Sequence, residues 1–94
     1  MIETITLKNL GTVNKNRVDI DYTDAKGNHQ FIELYFSYET IVAVKRPGFQ
    51  LCVAKNEWSN TTGKLLNELE PDKDCRYPHS VIMKNVTEAL QEIS

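Results

Sequence analysis

Several things are scarce in this chain, and each scarcity closes off a class of protein. The 94 residues hold only two cysteines, Cys52 and Cys75, far apart and in no C-x-x-C spacing. A disulfide scaffold and a cysteine zinc motif are both excluded on that count, and free thiols are expected. The two histidines, His29 and His79, form no ligand-spaced pair, so no metal and no cofactor is expected. Four glycines and three prolines are too few for a low-complexity or collagen-like chain. None of the glycines builds a phosphate-cradling loop. No apolar run approaches the roughly 20 residues that span a bilayer. The opening MIETITLKNL has neither the basic stretch nor the apolar core of a signal peptide, so a soluble, cytoplasmic protein is expected. Charge of one sign is also missing. Eleven basic against thirteen acidic residues leave a net charge of -2. That excludes a polycation that coats nucleic acid, and is too small for an acidic DNA mimic.

What remains is an ordinary globular composition, 40% hydrophobic and 26% charged, in a chain long enough for one domain over residues 1–94. The apolar pattern begins with period two. Ile5 and Leu7 alternate with Thr4 and Thr6, and Gly11 then suggests a bend. After the polar turn signal Asn14-Lys15-Asn16, Val18, Ile20 and Tyr22 alternate with Arg17, Asp19 and Asp21. One face of that strand is apolar and the other charged. Asp24 to Asn28 reads as a turn. Ile32, Leu34, Phe36 and Tyr38 then share one face of a third strand, with Phe31, Glu33, Tyr35 and Ser37 on the other. Aromatics on both sides predict a central strand covered partly on each face. Ile41 to Val44 continues the apolar run. Arg46-Pro47-Gly48-Phe49 fits a type II turn, with Pro fixing φ and Gly supplying the positive φ that follows. Gln50 to Lys55 is the expected return strand.

At Ser59 the period changes. Its hydroxyl suits an N-cap, and Leu65, Leu66 and Leu69 mark one apolar helical stripe that Pro71 ends. Gly63 inside that helix costs about 1 kcal/mol against Ala. A small residue there suggests close approach of another element. Trp58, one residue before the cap, occupies the hydrophobic-staple position, with Gly63 in the place of its usual partner. The C-terminal segment reads two ways. Val81-Ile82-Met83 is a short strand before a capping box at Asn85, or one helix starts near Ser80 with Ile82, Val86, Ala89, Leu90 and Ile93 as its stripe. Helix over most of 81–93 is the favoured reading. The expected fold class is α+β: an antiparallel meander of four to five strands with one or two C-terminal helices packed on one face.

Candidate chemistry is sparse. Cys75 lies near His79, Asp72 and Asp74, but triads converge in space from separate elements, and no enzyme is expected. Asp19, Asp21 and Glu33 share a strand face with Lys8 and Arg17 to neutralise them, which reads as a solvated surface. Basic residues gather near turns, at Lys15, Arg17, Lys26, Lys45, Arg46, Lys55 and Lys64. With Phe49, Trp58 and Tyr35 they suggest a stacking-and-phosphate surface, but with acidic residues outnumbering basic ones solubilising loop charges are the favoured reading.

Two segments carry a resemblance: the S-Y-x-T-x-V-A pattern of Ser37-Tyr38, Thr40 and Val42-Ala43, and the aromatic-S-x-T-T-x-K-x-L-N pattern from Trp58 to Asn67. Together they resemble a family of small, mostly uncharacterised bacteriophage and prophage proteins. That family often has a histidine after the lysine, where this chain has Leu65. The resemblance implies an accessory protein with an antiparallel sheet and a helix. By analogy it implies one that binds and blocks a host or defence protein, such as restriction or CRISPR machinery. The leading expectation is therefore a non-enzymatic protein-binding module, with a homodimer through exposed strand edges also open. Its candidate contacts are Tyr35, Lys45, Arg46, Phe49 and Trp58. A nucleic-acid-binding accessory protein and a small nucleotide-binding protein are the alternatives.

Overall fold

Short turns join five strands: β1 (Ile2–Asn9), β2 (Lys15–Thr23), β3 (His29–Ser37), β4 (Thr40–Lys45) and β5 (Cys52–Val53). The computed structural model, which describes residues 1–93, places them in one open sheet in the order β1-β2-β3-β4-β5, each antiparallel to its neighbour. Connections this short allow consecutive strands no other pairing. Two helices follow, α1 (Asn60–Leu69) and α2 (His79–Ile93), with a single 3-10 turn at Lys73–Cys75 between them. The fold is α+β, as the pattern of elements predicted. No helix among the described residues is long and apolar enough to cross a membrane.

The two helices divide between the faces of the sheet, where the sequence reading stacked them on one. Ile20, Tyr22, Ile32, Leu34 and Val44 pack against Ile82, Val86 and Ala89 of α2. On the opposite face Val42, Ala43 and Val53 meet Leu65 and Leu66 of α1. The reason lies in β4 and β5. Val42, Ala43, Val44, Val53 and Ala54 are all fully buried, so this end of the sheet is apolar on both sides and needs two covers. β2 alternates apolar with charged residues and needs only one. Leu65 is part of this core.

Three local features depart from the sequence pattern. The apolar run from Ile32 to Val44 is two strands, because the chain reverses at Tyr38 and Glu39. Neither residue is a usual turn former, and Tyr38 takes a positive φ of 56°. Its amide donates to the Asn14 carbonyl at 2.7 Å, so contact with the preceding turn holds the reversal in place. β5 is shorter than the predicted Gln50–Lys55 strand. Beyond Val53, Ala54 pairs in parallel with Tyr77. The C-terminal segment is one helix from His79, so the strand reading of Val81–Met83 fails. Within its stripe Leu90 stays largely exposed, while Ile82, Val86 and Ala89 are buried. The predicted turn at Arg46–Phe49 is present: Gly48 has φ 81° and the Phe49 amide donates to the Arg46 carbonyl at 3.2 Å.

Candidate functional site

The residues picked from sequence as partner contacts do not form one surface. Arg46 is only 5% exposed. Its guanidinium donates to Glu88 at 3.1 Å and to Glu92 at 3.0 Å on α2, and stacks over the Phe49 ring at 4.3 Å. Lys45 Nζ donates to the carbonyls of Arg46 and Phe49. Both cations therefore fasten the type II turn to the body of the protein. They are not offered to a partner, because their charges and donors are already engaged. Phe49 is half exposed above them. Tyr35 is half-buried beneath the Arg17 guanidinium, 5.9 Å away. Trp58 is partly exposed, with its ring edge-on to His79 at 5.1 Å. Since His79 starts α2 while Arg46 grips Glu88 and Glu92, the helical rise separates those two anchor points by about 13–20 Å.

Nor does the Cys75 loop assemble a catalytic group. Cys75 Sγ donates to an Asp72 carboxylate oxygen at 3.4 Å. That hydrogen bond and the nearby carboxylate charges push the thiol above its ordinary value, the reverse of an activated nucleophile. His79 is occupied elsewhere, with Nε2 2.9 Å from the Ile41 carbonyl oxygen. Among the described residues no three His, Cys, Asp or Glu side chains come together as a metal site requires.

A different site is present at the α1 end of the molecule. A groove of about 550 Å³ lies between α1, the segment after β5 and the 3-10 turn. One wall is a single face of α1. Asn60, Gly63, Lys64 and Asn67 follow the i, i+3, i+4, i+7 spacing that aligns side chains along a helix. Ser59 starts this helix, its hydroxyl accepting from the Thr62 amide at 3.3 Å. The other wall is Lys55 and Asn56, held by the Lys55 amide donating to the Tyr77 carbonyl at 2.7 Å. Lys73 and Arg76 complete the lining.

Gly63 lets the two walls approach. A Cβ there would come within 2.9 Å of Asn56 Nδ2. Asn56 in turn accepts from the Trp58 amide at 3.0 Å and donates to the Ser59 carbonyl at 3.1 Å. The space over Gly63 is thus filled by Asn56, and Trp58, expected there as a staple, rests on His79 instead. The asparagine wins because its amide satisfies two backbone groups at the start of the helix, which indole cannot do.

The electrostatics of the groove set it apart. Its lining has four cations, Lys55, Lys64, Lys73 and Arg76, three asparagine amides and no carboxylate. Arg76 is 6% exposed. Its Nε and Nη2 donate to the Glu70 carbonyl at 3.0 and 2.8 Å, and Nη2 also donates to Asn67 Oδ1 at 2.7 Å. It closes the C-terminus of α1, where a cation meets the negative end of the helix dipole. Among the described residues, the ion pairs of Lys8, Lys15, Arg17 and Arg46 account for every lysine or arginine within 4 Å of a carboxylate, so all four groove cations lack one. A concave groove lined by cations and amides, with no carboxylate in its lining, can take phosphate or carboxylate oxygens.

Sequence reasoning noted Lys55 and Lys64 only as scattered loop charges and passed over Lys73 and Arg76. The available signal was Gly63 in a helix flanked at helical spacing by Asn60, Lys64 and Asn67.

No curated protein and no solved structure matches the chain. Residues 3–82 match the sequence profile of a family of unknown function, DUF8033, and the protein belongs to that family.

Proposed function

We propose that this protein is a non-enzymatic nucleic-acid-binding accessory protein whose groove holds the phosphates of a single strand. The observation that carries the reading is the convergence of three exposed lysines, Lys55, Lys64 and Lys73, on one cavity in a chain of net charge -2, none with a carboxylate partner among the described residues; Arg76 shares the lining but is held by the Glu70 carbonyl and Asn67. Grouping three like charges costs energy that an anion among them relieves. The exposed rings of Trp58 and Tyr77 lie in the segments flanking the groove wall, where bases can stack. The small net charge argues for a local contact of a few phosphates rather than a coat.

Fluorescence anisotropy with labelled single-stranded DNA and RNA tests this. Three neutralised phosphates give a slope of log K against log salt of about -2. Lys64→Glu lowers the affinity at least tenfold, while Lys26→Glu, outside the groove, changes it little. Absence of binding at low salt, or equal losses from both variants, overturns the reading. A thermal shift with a mononucleotide in place of strand binding would move the function to a nucleotide-binding protein.

A second reading, a protein-binding module that inhibits a host or anti-phage defence factor, draws on another surface. Ile5 and Leu7 of β1 are 62% and 69% exposed on an open sheet edge. This reading predicts a stoichiometric foreign protein on that strand, lost in Leu7→Lys.

A further inference from the structure

The two edges of the sheet are built differently. β5 is two residues long, and the chain beyond it pairs with Tyr77. β1 is eight residues long with no proline, and no strand among the described residues pairs with its outer side. The Leu10 amide donates to the Lys15 carbonyl at 2.8 Å, so by alternation the backbones of Lys8, Thr6 and Thr4 turn toward β2. The amides and carbonyls of Ile5 and Leu7 therefore point outward, free to pair. Long unpaired edges of this kind are templates for another strand. α2 covers the central strands but leaves the apolar side chains of β1 open. Beside Leu7 an apolar recess of about 340 Å³ reaches Val18, Phe36 and Tyr38.

We infer that β1 pairs antiparallel with β1 of a second copy, about a two-fold axis at Thr6, to give a continuous ten-stranded sheet. Two observations select this occupant and this register. The outward backbones of Ile5 and Leu7 must face one another, which leaves registers that place odd-numbered residues opposite odd-numbered ones. Centring on Ile5 sets Leu7 against Glu3, and centring on Leu7 sets Ile5 against Asn9. Centring on Thr6 sets Ile5 against the second copy's Leu7 on both sides of the axis, so each apolar side chain gains an apolar neighbour.

The second observation is charge. On the opposite face Lys8 and Arg17, cross-strand partners that both also contact Asp19, lie at one end of the β1–β2 ladder, with Lys8 the half-exposed one nearest the edge. Asp21, opposite Thr4 and accepting its hydroxyl at 3.0 Å, lies at the other, with His29 3.3 Å from its carboxylate. The two-fold brings the basic end of one copy beside the acidic end of the other, with Lys8 opposite Thr4 and one strand from Asp21 of the second copy. The surface is complementary to itself.

Thr6 faces its own symmetry mate as a non-hydrogen-bonded pair, whose Cα separation of about 4.5 Å falls within disulfide range. In a Cys52→Ser, Cys75→Ser background, mild oxidation of Thr6→Cys gives a covalent dimer, and Thr4→Cys gives none. Light scattering of the native protein shows twice the 10.8 kDa chain mass at high concentration, and Leu7→Lys returns it to one chain. Lys8→Glu weakens association at least threefold, and adding Asp21→Lys restores it. A monomer at every concentration with no Thr6 crosslink overturns the inference. So does a dimer indifferent to Leu7→Lys, or crosslinking of Thr4→Cys in preference to Thr6→Cys. A foreign protein that displaces self-association and binds β1 in 1:1 ratio would assign the edge to the protein-binding reading instead.

Discussion

On the open face of β1–β3, Arg17 contacts Asp19 at 2.8 Å and Glu33 at 3.4 Å, and Lys8 contacts Asp19 at 3.4 Å. In the α1 groove the exposed lysines Lys55, Lys64 and Lys73 converge with no carboxylate in the lining, beside Arg76, which the end of α1 holds. The sheet solves its charge problem through register. Directly opposite partners are alike, Lys8 with Arg17 and Asp19 with Glu33, which alone would be unfavourable. The i, i+2 and diagonal contacts then pair each cation with an acid. The groove leaves the problem unsolved within the chain. Paired charges of this kind serve the fold, and unpaired charges gathered in a cavity are available to a ligand. Arg46 is the extreme of the first kind, buried and tied to Glu88 and Glu92.

The contrast can be broken most strongly at the groove. Lys64→Glu with Lys73→Glu should abolish strand binding, a loss of about 100-fold or more by anisotropy (about 2.7 kcal/mol). The same double variant should unfold in denaturant within about 0.5 kcal/mol of the native protein, because exposed lysines without partners contribute little to stability. Arg46→Ala should do the reverse. It removes the packing under Phe49 and frees two half-exposed carboxylates, costing about 2–3 kcal/mol in denaturant unfolding with strand affinity unchanged. Arg17→Ala sits lower. Its charged form is favoured chiefly by the hydrogen bond to Asp19 and opposed by burial, and its loss should cost about 1 kcal/mol with no effect on binding. Gly63→Ala joins the two regions. Better helix propensity, worth about 1 kcal/mol, offsets the displacement of Asn56, so stability should barely change while strand affinity falls a few-fold.

The smallest effect is a pH dependence remote from both. Asp24 accepts from the Asn28 and Lys26 amides, each at 2.9 Å, and these, with Asn28 the larger cause, hold its carboxyl below the ordinary 3.8. A lowered folded value means the carboxylate's contribution is present above 3.8 and lost as the pH falls through the folded value. Asp24→Asn should therefore flatten only the most acidic part of a stability–pH curve.

Much of the architecture was legible because local chemistry carried it. Gly48 after Pro47 marked a turn, Ser59 marked a helix start, and Val18, Ile20 and Tyr22 marked a half-covered strand. The reversal at Tyr38 was not legible, because a distant carbonyl at Asn14 holds it and no turn residue announces it. Arg46 looked like an exposed contact since it opens a projecting turn; its acids lie 42 and 46 residues away in the chain. The groove was hidden for the same reason. Its cations come from the segment after β5, from α1, from the 3-10 turn and from the residue after it, and only the fold brings them to one cavity.

The most direct test of the central claim is an amide chemical-shift titration of the ¹⁵N-labelled protein with a short single-stranded oligonucleotide. The account predicts that perturbations gather at Lys55, Asn56, Gly63, Lys64, Asn67, Lys73 and Arg76 and spare Lys8, Arg17 and Arg46. Shifts centred on the Lys8–Arg17 face, or none at any concentration, would contradict it.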